Sequence, residues 1–244
     1  MNSNSADGEK SPIKADGTIK KMFEAGAHFG YSKSRRHPSM ISLIFGMKNR
    51  TEIFDLEKTK AYLEKAKAFA TELGKEGKPI VLASSKHEAR KAIRENALRA
   101  DLPYIAGRWI GGTLTNFGQI KSRINRLFEL KDKKEKGELV KYTKKERLLM
   151  DREMETLEEM FGGISTLSGL PSALLVVDPK TEKTAVSEAK SKNIPVIAVM
   201  NSDCDLSDAD YPLPGNDASV RSISFFVSEI VDAYLEGKSG KTAK

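Results

Sequence analysis

Apolar residues recur along this chain at two spacings. Near the period of 3.6, Ile19, Met22, Phe23 and Ala27 predict a short amphipathic helix over 18–27. Leu56, Tyr62, Leu63, Ala66, Phe69, Ala70 and Leu73 predict a longer one over 56–73. Uninterrupted apolar runs stand between such segments. Pro79–Ala83, Pro103–Ala106, Ala173–Val177 and Pro195–Met200 read as strands buried on both faces. Ser84 and Ser85 can cap a helix running to Ala100, and further helices are expected over 181–192 and 218–235. Tyr211–Pro214 is a last short edge strand. Strands alternating with helices give a parallel sheet covered on both faces, so the fold class is α/β. Ahead of that pattern, Ser42–Phe45 and Thr51–Phe54 flank Gly46–Arg50 as strand, turn, strand, and residues 31–40 form a basic loop.

Residues 118–161 interrupt the alternation, because no strand-like run occurs there. Ile120, Ile124, Leu127 and Leu130 form one narrow apolar seam, and Met150, Met154, Leu157 and Phe161 form another after Gly137. Nearly everything between them is charged. Two such seams joined by a polar turn make an antiparallel, coiled-coil-like helical hairpin with too little apolar surface to be buried on all sides. It is expected to project from a single α/β domain made of 18–117 and 162–237. Residues 1–17 and 238–244 read as polar tails.

Charge sharpens this picture. The net charge is +7, distributed as +5 over 1–50, +3 over 51–118, +2 over 119–161 and −3 over 162–244. An excess concentrated toward one end fits a protein with one face on a polyanion, where each neutralised phosphate releases counterions. A merely solvated lysine-rich surface is the other reading. One cysteine, Cys204, excludes a disulfide framework and cysteine-based zinc modules. No uncharged apolar run approaches a membrane span, and residues 1–18 carry neither signal- nor transit-peptide character, so a cytoplasmic location is expected.

Catalytic and ligand motifs are missing where they would be needed. No Gly-x-Gly-x-x-Gly or Gly-x₄-Gly-Lys-Ser/Thr follows any strand. Ser84, Ser85 and Lys86 at a helix start could hold one phosphate, although simple capping explains the serines better. Gly111–Asn116 reads as a tight turn entering the hairpin. His28, His37 and His87 have no partner at metal-ligand spacing, and His28 reads as a satisfied structural histidine. Asp203, Asp205, Asp208 and Asp210 surround Cys204 and would raise its pKa, and they read as solvated loop carboxylates. No cofactor and no metal are expected, and the chain reads as a non-enzyme.

An ordered set of motifs then narrows the reading. EAGAHFG at 24–30, RRHP at 35–38, IFG at 44–46, NR at 49–50, DLEKT at 55–59 and RWIGGTLTN at 108–116 come first. GGI at 162–164, GLPSA at 169–173, VD at 177–178, EA at 188–189, IPV at 194–196 and PGND at 214–217 follow. Together they resemble the family of the second protein of the bacterial small ribosomal subunit, ribosomal protein S-two, over roughly 18–237. That resemblance implies a three-layer flavodoxin-like sheet of order 2-1-3-4-5 with an inserted helical hairpin. It also implies assembly onto small-subunit ribosomal RNA, beside neighbouring small-subunit proteins that include the large messenger-binding protein, with no membrane and no small-molecule substrate. Tyr31 stands where family members often carry histidine, which argues against a metal site there. Arg36 stands where they often carry tryptophan, exchanging a stacking surface for a phosphate contact.

The candidate RNA contacts are Lys33, Arg35, Arg36, Lys48 and Arg50 in the front section. Arg108, Trp109 and Asn116 lie at the base of the hairpin, and Lys121, Arg123 and Arg126 on its first helix. Trp109, the sole tryptophan, either stacks on RNA or packs in the core. Reversing Lys33, Arg35 and Arg36 to Glu is expected to impair incorporation into the small subunit more than reversing Lys133, Lys134 and Lys136 near the hairpin tip, and neither change is expected to unfold the domain. The alternative function is a nucleotide-binding enzyme or regulator on the same sheet, because a sheet of this kind hosts many functions.

Overall fold

The computed structural model describes residues 17–242. Of the polar segment expected over 1–17, Gly17 alone falls within it and opens α1 (Gly17–Glu24). A small antiparallel sheet follows: β1 (Phe29–Ser32), β2 (Ile44–Lys48) and β3 (Thr51–Phe54), in the order β1-β3-β2. Between β1 and β2, residues 33–43 form two 3-10 turns rather than the open basic loop expected. β2 and β3 are joined by Asn49 and Arg50 alone, both left-handed at φ 49° and 64°, the two-residue turn whose twist matches paired strands. Asparagine tolerates that conformation, but arginine signals it poorly.

Next come α2 (Leu56–Glu76), β4 (Ile80–Ala83), α3 (His87–Ala100) and β5 (Tyr104–Ile105). Asp55 caps α2 by accepting from the N–H groups of Glu57 and Lys58, and Gly77 at φ 73° ends it. Then α4 (Phe117–Glu135) and α5 (Lys144–Phe161) pack on each other through the two expected seams. Ile120, Ile124, Leu127, Leu130, Leu157 and Phe161 are buried, with Met150 and Met154 partly so. A Thr143–Glu146 capping box starts α5. β6 (Ala173–Val177), α6 (Lys183–Ser191), β7 (Val196–Met200), β8 (Tyr211–Pro214) and α7 (Val220–Thr242) complete the described chain.

β4 to β8 form a parallel five-stranded sheet ordered β5-β4-β6-β7-β8. Alternate residues of each central strand face opposite ways, as the pleat requires. Ile80, Leu82, Leu175, Val177, Ile197 and Val199 pack against α2, α3 and α7. Val81, Leu174, Val176, Val196, Ala198 and Met200 pack on the other side with α6, the α4–α5 pair, and Met40, Leu43 and Phe54.

One expected boundary fails. The closing helix does not stop near Leu235 but continues through 238–242, where a tail was expected. Gly237 resembles a helix stop in sequence. In the structure it is instead a contact residue, since a Cβ there would collide with the carbonyl oxygen of Thr71 on α2. Gly74 of α2 makes the reciprocal approach to the carbonyl oxygen of Tyr234.

Candidate nucleic-acid interface

The front cations split by what they touch. Lys33, Lys48 and Arg50 are exposed, and none has a carboxylate in ion-pairing range among the described residues. Lys48 ends β2 and Arg50 is the second residue of the β2–β3 turn, so its tight geometry holds two positive charges at a hairpin tip. Arg35 lies 4.2 Å over the Tyr31 ring and reaches Asp203 at 3.3 Å, which leaves it exposed but half committed. Arg36 turns inward. Its Nη1 donates to Glu52 Oε1 at 2.9 Å, and the Glu52 side chain is 2% exposed. Arg36 therefore neutralises a buried carboxylate instead of presenting a free charge. Reversing it to Glu would set two carboxylates together in a buried place, which overturns the expectation that the triple reversal leaves the fold intact.

At the base of the hairpin, Arg108 and Asn116 are exposed at either end of a turn. Trp109 is not available for stacking: it is 7% exposed, lies in the core, and donates its Nε1–H to Glu188 Oε1 at 3.3 Å. Burial of the ring's large apolar area decides against the RNA-stacking alternative. Glu188, on α6, also accepts from Gly112 N at 2.8 Å, Leu114 N at 2.9 Å, Thr115 N at 3.1 Å and Thr115 Oγ1 at 3.2 Å. Burial would raise its carboxyl pKa, but the N–H donors of Leu114, Gly112 and Thr115 outweigh burial and hold it below the ordinary value.

On α4, Lys121 and Arg123 are exposed, and Lys121 rests its ammonium 3.5 Å from the Ser168 carbonyl. Arg126 is spent. It makes a forked pair with Glu153 at 3.1 and 3.2 Å and approaches Glu129 at 3.7 Å. Lys134 pairs with Asp151 and Lys136 with Asp132, so these two cations toward the hairpin tip are committed within the helix pair.

The carboxyl ends of β4 and β6, where strand order reverses, are where a doubly wound sheet would take a ligand. Here a polar cluster fills that place. Lys86 Nζ lies 2.8 Å from Asp178 and 2.6 Å from Asp217, and Asn201 donates to Asp217 at 2.8 Å. Burial alone would lower the Lys86 pKa, but Asp217 and Asp178 reverse that and raise it, so the ammonium stays charged. The Ser85 N–H is taken by the Glu182 carboxylate and the Lys86 N–H by Ser84 Oγ. The N–H groups suggested for a phosphate are thus occupied, and Ser84 closes a local turn without capping α3. β1 and the segment after it add to this cover, with Tyr31 N of β1 donating to Ser202 Oγ at 3.0 Å and His37 N, before the second 3-10 turn, to the Ser202 carbonyl at 2.8 Å.

Two sequence expectations change here. Among the carboxylates around Cys204, Asp203 departs from the solvated reading: its side chain is 5% exposed and binds Arg35 and Lys180. Asp205, Asp208 and Asp210 stay accessible to solvent, with Asp208 pairing with Lys190 and Asp210 accepting from Val196 N. The Cys204 thiol is pushed up by burial and by Asp178, Asp203 and Asp217, so it is unreactive as a nucleophile. His28 is buried between Phe23 and Phe29, with ring centroids at 4.4 and 4.0 Å, but its Nδ1 has no partner among the described residues. It is structural without being satisfied. Sequence reasoning missed Glu52, Lys86, Asp178 and Glu188 as organising charges. The signal available was a charged residue within or beside an apolar run, as Glu52 is in Thr51–Phe54.

Comparison with known proteins agrees with the motif set. A family model described as ribosomal protein S2 matches residues 22–237. The small ribosomal subunit protein uS2 of Coprothermobacter proteolyticus is 42% identical over 224 residues, covering 92% of this chain and 84% of that protein.

Proposed function

The chain belongs to the ribosomal protein S2 family, and we infer that it is a structural, non-catalytic constituent of the small ribosomal subunit in the cytoplasm, bound to small-subunit ribosomal RNA by charge and shape. The sorting of its cations carries this reading. Lys33, Lys48, Arg50, Arg108 and Arg123 are exposed and free of carboxylate partners among the described residues, whereas Arg36 and Arg126 are consumed internally. Unpaired cations on short turns and helix starts suit phosphate contacts, which fix position without reading bases. Asn116 and Lys121 extend the same footprint along the start of α4, and Arg35 reinforces it beside Lys33.

Counting the five parallel strands alone, their order corresponds to 2-1-3-4-5. That supports a three-layer flavodoxin-like domain of 18–117 and 162–237, with 118–161 as an inserted, projecting hairpin. Phe23 on α1, Phe29, Phe45 and Met47 on the small sheet, and Ile41 in the 3-10 turn between β1 and β2 are exposed. Such apolar surface on a charged chain supports contact with neighbouring small-subunit proteins, the large messenger-binding protein among them. Against the nucleotide-binding alternative stands the Lys86–Asp178 pair across the strand-end crevice. No described helix is long and apolar enough to cross a membrane.

The test is the salt dependence of binding to RNA extracted from small subunits. Each phosphate left without its cation lowers the log–log slope by about 0.7–0.9, so K33A/K48A/R50A should flatten it by roughly 2 to 2.7. R126A should leave the slope unchanged. Wild-type binding that is flat in salt, or an equal effect from R126A, would overturn the reading.

A further inference from the structure

The α6 carboxylate of Glu188 is the least expected charge in the molecule. It is 7% exposed and has no cationic partner among the described residues. What neutralises it is one segment of chain: five N–H and O–H donors, all from residues 109–115, converge on its two oxygens. Trp109 and Gly112 bind Oε1, while Leu114 and both donors of Thr115 bind Oε2. The turn's own bonds run from Thr113 N and Oγ1 to the Ile110 carbonyl and from Asn116 N to the Gly112 carbonyl, which leaves the N–H groups of Gly112, Leu114 and Thr115 unmet within it. Gly112 at φ 91° holds a conformation that other residues resist. The carboxylate supplies the missing bonds in a charge-assisted form.

We propose that Glu188 is a positioning residue for RNA contact: it sets the turn that presents Arg108 at one end and launches α4, with Asn116, Lys121 and Arg123, at the other. This rests on the RNA-binding reading above. Arg108 immediately precedes the anchored segment, and α4 begins two residues after it. Freeing the anchor lets both cationic ends move. Ordering them then falls to the binding step, at a cost in affinity.

The sign of the effect separates this proposal from simple electrostatics. E188Q removes a negative charge, which by Coulomb attraction alone would tighten binding to a polyanion. Positioning demands the opposite. E188Q should bind small-subunit RNA about fivefold more weakly at physiological salt, with a slope shallower by about 0.7–0.9 for each phosphate that is no longer neutralised. Amide hydrogen exchange should accelerate at Gly112, Leu114 and Thr115 while the β6 and β7 amides stay protected. Because Glu188 acts through both ends of the turn, E188Q should cost clearly less in an R108A/K121A/R123A background than in wild type.

Should E188Q fail to fold, W109F carries the same test. It deletes one donor to Glu188 from a side chain too buried to touch RNA, and should weaken binding about twofold with no change in net charge, the size of a modest hydrogen-bond loss. Unchanged or tighter binding by E188Q, unchanged binding by W109F where E188Q does not fold, or an undiminished loss from E188Q in the R108A/K121A/R123A background would overturn the positioning role. A wild-type protein that binds RNA without salt dependence would instead overturn the RNA-binding reading itself.

Discussion

Arg36→Ala separates an internal charge pair from an RNA contact. Arg36 Nη1 and Glu52 Oε1 are 2.9 Å apart, with side-chain exposures of 21% and 2%. Glu52 Oε2 has no hydrogen-bond partner among the described residues, so Arg36 is the chief compensation for this buried charge. Removing one member of a buried pair costs about 3–5 kcal/mol, and the partial exposure of Arg36 places the loss near 3 kcal/mol. For a domain of this size that is a fall in Tm of about 6–12 °C, at 2–4 °C per kcal/mol. Thermal and urea unfolding followed by circular dichroism measure it. Arg36→Met with Glu52→Met should recover most of the stability, because replacing both ions by apolar groups of similar volume is often neutral. RNA affinity measured well below Tm should change less in R36A than in K33A. An R36A protein as stable as wild type, with an RNA-binding loss matching K33A, would refute the inward assignment and return Arg36 to the interface.

Gly74→Ala should lower stability by about 1–2 kcal/mol, since overpacking against the Tyr234 backbone outweighs a helix-propensity gain near 1 kcal/mol. Gly118→Ala, with open space around it on α4, should raise stability by about 0.5–1 kcal/mol, so opposite shifts in urea midpoint are expected. Burial lowers the pKa of His28, so the unfolded chain takes up its proton first as pH falls. The contribution of neutral His28 is present above the unfolded value near 6.5 and is lost progressively on acidification below it. Wild-type stability should therefore drop between pH 7.5 and 5.5 by more than that of His28→Phe, which keeps the stack on Phe23. Equal drops would count against it.

The fold class was legible because burial on both faces leaves an unmistakable mark. Ile80–Ala83, Ala173–Val177 and Val196–Met200 are apolar throughout, and no surface strand would be. The hairpin seams were legible for the same reason: Ile120, Ile124, Leu127 and Leu130 are spaced for one face, and that face is buried. β1 was not, because Gly30 interrupts Phe29–Ser32 and a glycine is a poor strand signal, although here its missing Cβ lets the Glu52 carbonyl come close. The α7 end was hidden by Gly237, since a helix stop and a close helix contact call for the same missing Cβ.

The same division runs through the interface. Sequence alone determined which residues carry positive charge and that they crowd the front of the chain. Which of those charges remain free was decided only when distant segments met. Arg36 is silenced by Glu52, sixteen residues on, and Arg126 by Glu153, twenty-seven residues on. Trp109 is drawn inward by Glu188, seventy-nine residues away. A charge is a property of its residue, whereas its availability depends on the field and solvation set by neighbours that the chain's order does not place beside it.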